Sequence, residues 1–319
     1  MSKALDRAFA LEAVRVTEAA ARAAARYVGR GDEHAAEEAA AGAMREAFSH
    51  LPINGRVVLG EGESEDVSVL FSGEVVGSGG VAVDLALDPL EGSTPTAKSL
   101  PNALSVLVIA EPDTLLTVPD LYMDKIAIGP GYPSGLIDLD QDPAENIVAL
   151  AKAKHVPVGD ITVCILDRPR HSQILERVRS SGAAVKLIDD GDVAAIIATC
   201  DPHSGIDLYL GSGGARAGIL AAAALRCIGG QMQTRLVIRN DEERMRAAQF
   251  DLNDGRRKYE LTDLVGGDVI FAATGVTDGA LLNGIRRVNG YTFTQSVVMR
   301  AASGTARYVR ARHRICDGL

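Results

Sequence analysis

The chain has 319 residues, 47% of them apolar, enough for one large or two modest domains with a buried interior. Asp and Glu outnumber Lys and Arg 42 to 33, giving a net charge of −9, which argues against nucleic acid or an anionic membrane as the main partner. An anionic substrate would then have to meet a local cation. No run of about 18 apolar residues is present to span a bilayer. Asp6 and Glu12 interrupt what a signal peptide would keep apolar, so a cytoplasmic location is expected. Cys164, Cys200, Cys227 and Cys316 are too scattered for a zinc site or a disulfide scaffold and read as free buried thiols.

Residues 4–28 carry apolar side chains at three- and four-residue spacing, the mark of a long amphipathic helix. Gly29-Arg30-Gly31 breaks it, and Asp32 is placed to cap a second helix through residue 48. Glu33 and Glu37, one turn apart, read in isolation as a solvated acidic face near a helix N-terminus. A strand at 56–59 runs into Gly60-Glu61-Gly62-Glu63-Ser64-Glu65-Asp66, a crowded acidic turn that is either solvated or neutralised by bound cations. Strands are expected at 67–76, 81–87 and 103–109. The second of these delivers Asp88-Pro89-Leu90-Glu91-Gly92-Ser93, with Pro89 stopping it. Two carboxylates three residues apart, then glycine and a hydroxyl, suit Mg²⁺ or Mn²⁺ and phosphate oxygens, although a plain polar turn uses the same residues.

Tyr122, a core or rim aromatic, precedes a strand at 126–128. Beyond residue 142 helices and strands alternate, so the expected division is an N-terminal α+β half, 1–142, and a C-terminal α/β half, 143–319, forming one catalytic unit. Successive strands end in the polar loops Asp167-Arg168-Pro169-Arg170-His171, Asp189-Asp190-Gly191-Asp192 and 211–218, and ligands of α/β sheets gather at such ends. The last loop, Gly211-Ser212-Gly213-Gly214-Ala215-Arg216-Ala217-Gly218, reads as a strand-to-helix turn; its glycines serve either to present N–H groups to an anion or to pack helix on strand. Arg168 and Arg170 suit phosphate. Residues 241–260 form a polar excursion, and the strands at 269–273, 292–299 and 305–315 end with Arg310, Arg312 and Arg314 guarding an edge.

The motifs GRGD (29–32), GEGE (60–63), DPLEGS (88–93), PDLYMDK (119–125), RPRH (168–171), DGDVAA (190–195), GSGGA (211–215) and FAATGVTDG (271–279) occur in order, and with them the chain resembles class II, GlpX-type fructose-1,6-bisphosphatases. The resemblance implies an α/β layered sugar-phosphatase fold, an α-β-α-β-α sandwich, and Mg²⁺- or Mn²⁺-dependent removal of the 1-phosphate from a sugar bisphosphate by a homo-oligomer. Its metal carboxylates fall on Glu37, Glu61, Asp88 and Glu91. Its catalytic groups fall on Ser93, Glu65 and Glu61, with Ser93 orienting a water. Its substrate contacts fall on Glu91, Gly92, Ser93, Tyr122, Arg168, Pro169, Arg170, Asp190, Gly191, Asp192 and Gly214.

Departures from the family pattern gather in two segments. Glu33 stands where the family has lysine, Glu37 where it has aspartate, and Ala217 where it has a metal-binding glutamate, while Arg216 restores the charge sum. Ser93 and Glu65 match the family's threonine and aspartate in functional group only. Alanine cannot coordinate, so the resemblance leaves a second reading open: a catalytically weakened paralogue that binds sugar phosphates as a regulatory or structural subunit.

Overall fold

The first helix occupies Phe9–Ala24 and buries Phe9, Ala13, Val16, Ala20 and Ala24, the expected apolar stripe. It ends before residue 28 because the chain tightens into three-residue bonds, Arg26 N–H to Ala23 O and Tyr27 N–H to Ala24 O, ahead of Gly29 at φ 72°. The computed structural model describes residue 5 and residues 7–62 and 69–314. Asp32 caps the second helix, Glu33–Phe48, by accepting from Ala35 N–H at 3.0 Å.

The chain forms two compact units, one made of Met1–Leu115 with Gly266–Leu319, the other of Leu116–Val265. This corrects the division at residue 142, and strand pairing gives the reason. Tyr122–Ile128 pairs with Leu208–Gly214 and Gln231–Val237, so it belongs to the second unit. Val269–Gly275 inserts between Leu104–Ala110 and Tyr291–Arg300, so the C-terminal strands complete the first unit's sheet.

In the first unit the two long helices pack on an eight-stranded mixed sheet, burying Phe48, Met44, Leu85, Leu87, Leu107, Ile109, Ile270 and Val298 in one core. In the second unit the helices Pro143–Lys154 and Ser172–Ser180 share a core with Ile126, Ile128, Val163, Ile165, Leu208 and Leu210, on one face of a six-stranded mixed sheet. The alternating residues Met123, Lys125 and Gly213 face the helices Asp192–Ala198 and Ala215–Ile228 on the other side. Helices packed on one mixed sheet in the first unit, and on both faces of another in the second, are the content of the expected α/β layered fold.

Three local expectations differ from the structure. Strand Val81–Glu91 continues through Pro89, with its register on Leu104–Ala110 shifting between Asp88 and Glu91; a residue without an N–H is tolerated where the ladder is already interrupted. The strand expected at 67–76 survives only as Val75–Val76 among its described residues, because Leu70 at φ 58° and Gly73 at φ 103° turn the chain. Residues 211–214 are strand rather than turn. Among the described residues no helix is long and apolar enough to cross a membrane.

Candidate active site

In the first unit, parallel pairing brings the acids together. Ile53–Leu59 runs parallel to Val81–Glu91 with Leu59 opposite Ala86, so Glu61, two residues past the first strand, and Asp88, two residues further along the second, lie toward the same end of the pair. Gly60, directly before Glu61, is obligatory: a Cβ there would lie 2.0 Å from Leu70 O. Asp88 is half-buried and its Oδ1 accepts from Leu90 N–H at 3.1 Å, which fixes the carboxylate at the register shift. Glu91 and Gly92 follow, and Gly92 adopts φ 97° with Ala103 Cα 3.3 Å from where a Cβ would stand. That turn starts the short helix Ser93–Lys98, which places the Ser93 hydroxyl at its first position, half-buried.

The GRGD turn is bound to this helix. Gly29 N–H donates to Thr96 O and Gly31 N–H to Ala97 O, at 2.9 and 3.0 Å. Glu33 Oε2 accepts from Thr94 Oγ1 at 3.0 Å, so the acid read as a solvated face sits beside the residue that follows Ser93. Glu37 lies one turn along, half-buried. Glu65 lies outside the described residues. The carboxylates are the hard donors that Mg²⁺ and Mn²⁺ take, so the set fits in donor type. Among the described residues, however, no three acid, imidazole or thiol side chains form a group able to hold an ion, and Glu63, Glu65 and Asp66 of the acidic turn lie outside them.

The second unit gathers the other predicted residues around Tyr122, which begins its strand opposite Gly214 on one neighbour and Val237 on the other. Its ring is partly exposed, and the Arg170 guanidinium carbon lies 5.0 Å from the ring centroid. Arg170 Nε and Nη2 both donate to Ser212 O, at 3.1 and 2.7 Å, which holds the fork in place without a carboxylate. Arg168 donates to Asp167 O, and Pro169 opens the short 3-10 turn Pro169–His171. Asp190 Oδ1 accepts from Gly191 N–H, and Gly191 at φ 83° turns the chain into the helix Asp192–Ala198.

Asp192, given as a substrate contact by the resemblance, is buried. It is 6% exposed and its Oδ2 accepts from Lys125 Nζ at 2.5 Å, while Lys125 is fully buried. This pair explains the glycines. A Cβ on Gly213 would lie 2.4 Å from Asp192 Oδ2 and 3.2 Å from Lys125 Nζ; one on Gly218 would lie 2.4 Å from Met123 Sδ. Gly211 faces the His171 ring in the same way, at 3.3 Å. None of Gly211, Gly213 and Gly214 has a positive φ, so of the two readings of this segment, close packing accounts for Gly211, Gly213 and Gly218. Gly214 has open space beside it and precedes the helix Ala215–Ile228.

His171 locks the arginine loop to the sheet. Ser212 N–H donates to its Nε2 at 2.8 Å, so Nδ1 carries the proton and donates to Leu166 O at 2.8 Å. Burial pushes its pKa down, with the neighbouring Arg170 charge adding to the effect and Asp124 opposing it. Asp124 is itself pushed up by burial. An imidazole held neutral in the fold and free to protonate when unfolded contributes stability above its ordinary pKa of 6.5. That contribution is lost as pH falls from there through the lower folded value. The urea midpoint is therefore expected to drop between pH 7.5 and 5.5, with a shallower drop in His171→Gln.

Lys125, His171's clamping role and Arg239, whose guanidinium carbon lies 5.3 Å from the Tyr122 centroid, were not singled out from sequence. For Lys125 a signal existed: a lone lysine in the strand Tyr122–Ile128, with glycines in a later strand of the same sheet.

The model of the family described as bacterial fructose-1,6-bisphosphatase, glpX-encoded, matches residues 7–313. Fructose-1,6-bisphosphatase 1 class 2 of Escherichia coli strain K12 is 40% identical over 97% of this chain and 96% of that protein. Fructose-1,6-bisphosphatase class 2 of Shigella flexneri matches to the same extent. With the motifs falling in order on the two units described above, the chain belongs to the glpX-encoded bacterial fructose-1,6-bisphosphatase family.

Proposed function

We propose that this protein hydrolyses the 1-phosphate of fructose 1,6-bisphosphate to fructose 6-phosphate and phosphate, as a cytoplasmic homo-oligomer, and that it accepts sedoheptulose 1,7-bisphosphate as a second substrate. The observation that carries the reading is the parallel register that sets Glu61, just past Ile53–Leu59, and Asp88, in Val81–Glu91, toward the same end of adjacent strands, with Ser93 opening the next helix. Glu61, Asp88 and Glu91, with Glu37, would hold Mg²⁺ or Mn²⁺, which when bound neutralises phosphate charge and acidifies a water. Ser93 would orient the attacking water, with Glu65 assigned as its partner from the family pattern. Glu33, by accepting from Thr94, keeps the first turn of the Ser93 helix in register. The cations suited to the phosphate of an anionic substrate are Arg168 and Arg170, with Tyr122 beside the Arg170 fork.

Ala217 favours the second reading, a weakened paralogue, because a methyl group stands in the first turn of Ala215–Ile228 where the family coordinates metal. Phosphate release from fructose 1,6-bisphosphate with Mn²⁺ or Mg²⁺ decides between them, measured beside Ala217→Glu. The expected result is turnover by the wild type, with tighter Mn²⁺ binding in Ala217→Glu seen by the paramagnetic spectrum of the free ion. Turnover confined to the variant would support the paralogue reading.

A further inference from the structure

One cation beside Tyr122 belongs to none of the family motifs. Arg239 follows the strand Gln231–Val237 by two residues, and Val237 lies directly opposite Tyr122, so the strand register carries Arg239 to the ring. Two guanidinium groups then share one aromatic side chain: Arg170 at 5.0 Å and Arg239 at 5.3 Å from its centroid. Sharing a neutral ring offsets the repulsion of two cations only in part, so their approach calls for further stabilisation.

Arg239 is tethered for it. Its backbone N–H donates to Glu243 Oε2 at 2.7 Å, and its Nε and Nη2 donate to Glu243 Oε1 at 2.9 and 2.5 Å. Glu243 is 8% exposed and stands in the first turn of Asp241–Ala248, which Asn240 caps. The side chain of Arg239 stays 57% exposed, with Nη1 uncommitted to Glu243. Arg170 likewise spends Nε and Nη2 on Ser212 O. Each arginine is therefore fixed by one edge and offers the other, an arrangement suited to a phosphate monoester, whose oxygens accept several donors at once.

We propose that Arg239 is a specificity-determining residue that donates to the phosphate of the bound sugar phosphate that is not hydrolysed, acting with Arg170 on the shared Tyr122 ring. The inference rests on the bisphosphatase reading above. Through it the excursion 241–260, placed on the surface from sequence alone, gains a function: its first helix holds Arg239 at the ring.

Calorimetric titration of the full-length protein in Mg²⁺ with fructose 6-phosphate, which retains only the unhydrolysed phosphate, tests this beside steady-state kinetics on fructose 1,6-bisphosphate. Arg239→Ala is expected to weaken fructose 6-phosphate binding about tenfold or more, the loss of a charge-assisted donor, and to raise KM with kcat within about twofold. Arg239→Lys, which keeps charge but not the fork, and Glu243→Gln, which loosens the tether, are expected to fall between it and wild type. Fructose 6-phosphate binding within about twofold of wild type in both Arg239→Lys and Arg239→Ala would overturn the assignment. So would a loss confined to kcat. A wild type that neither binds fructose 6-phosphate nor releases phosphate removes the bisphosphatase reading itself, and the inference with it.

Discussion

Asp88→Asn is expected to reduce phosphate release from fructose 1,6-bisphosphate by about a hundred- to a thousandfold, the scale on which removing one preorganised charge-stabilising group acts. The substitution is nearly isosteric. Asparagine's Oδ1 can still accept from Leu90 N–H, so the register shift at Asp88 and the turn into the Ser93 helix should hold. What disappears is the charge at the register shift of the Val81–Glu91 strand. If the loss reflects that charge, Mn²⁺ affinity falls with turnover while the urea midpoint stays near wild type. Turnover within tenfold of wild type would show that Asp88 carries no part of the chemistry.

Lys125→Met is expected to be the most destabilising single change among those considered, by about 3–5 kcal/mol, because it leaves the Asp192 carboxylate buried without its cation. Asp192 is 6% exposed, and Gly213 already leaves it no room to swing away. Combining Lys125→Met with Asp192→Asn removes both charges and should recover most of the loss, since the net worth of a buried pair is far smaller than the cost of breaking it. Denaturant midpoints of the two single variants and the double variant check this as a cycle. A single variant as stable as wild type would mean that water reaches Asp192.

How much of this was legible in the sequence depended on how local the cause was. Asp32 announced its helix because a cap acts within three residues, and it does accept the N–H bond expected of it. The loops bearing Arg170 and Asp190 were legible because each ends a short apolar strand, Thr162–Leu166 and Ala184–Ile188. The segment 211–214 was misread as a turn because glycine signals backbone freedom locally, whereas here its cause is 40 residues away in His171, and in Asp192 and Lys125. Gln231–Val237 passed unnoticed because its polar, mixed composition carries little strand signal; pairing with Tyr122–Ile128 on one side and Tyr259–Glu260 on the other makes it a strand. The division at 142 failed for the same reason, since no local signal tells that a strand at 269 will insert beside one at 104.

That insertion also bears on how the protein is made. Every strand of the Leu116–Val265 sheet lies within one continuous stretch, so this sheet can close while the rest of the chain is still being synthesised. The other sheet cannot, because Leu104–Ala110 waits for Val269–Gly275, some 165 residues later in synthesis. Until then the apolar edge around Leu107 and Ile109 has no partner. A nascent chain paused between residues 116 and 268 therefore exposes the strand most prone to wrong pairing, the stage at which a chaperone has most to protect.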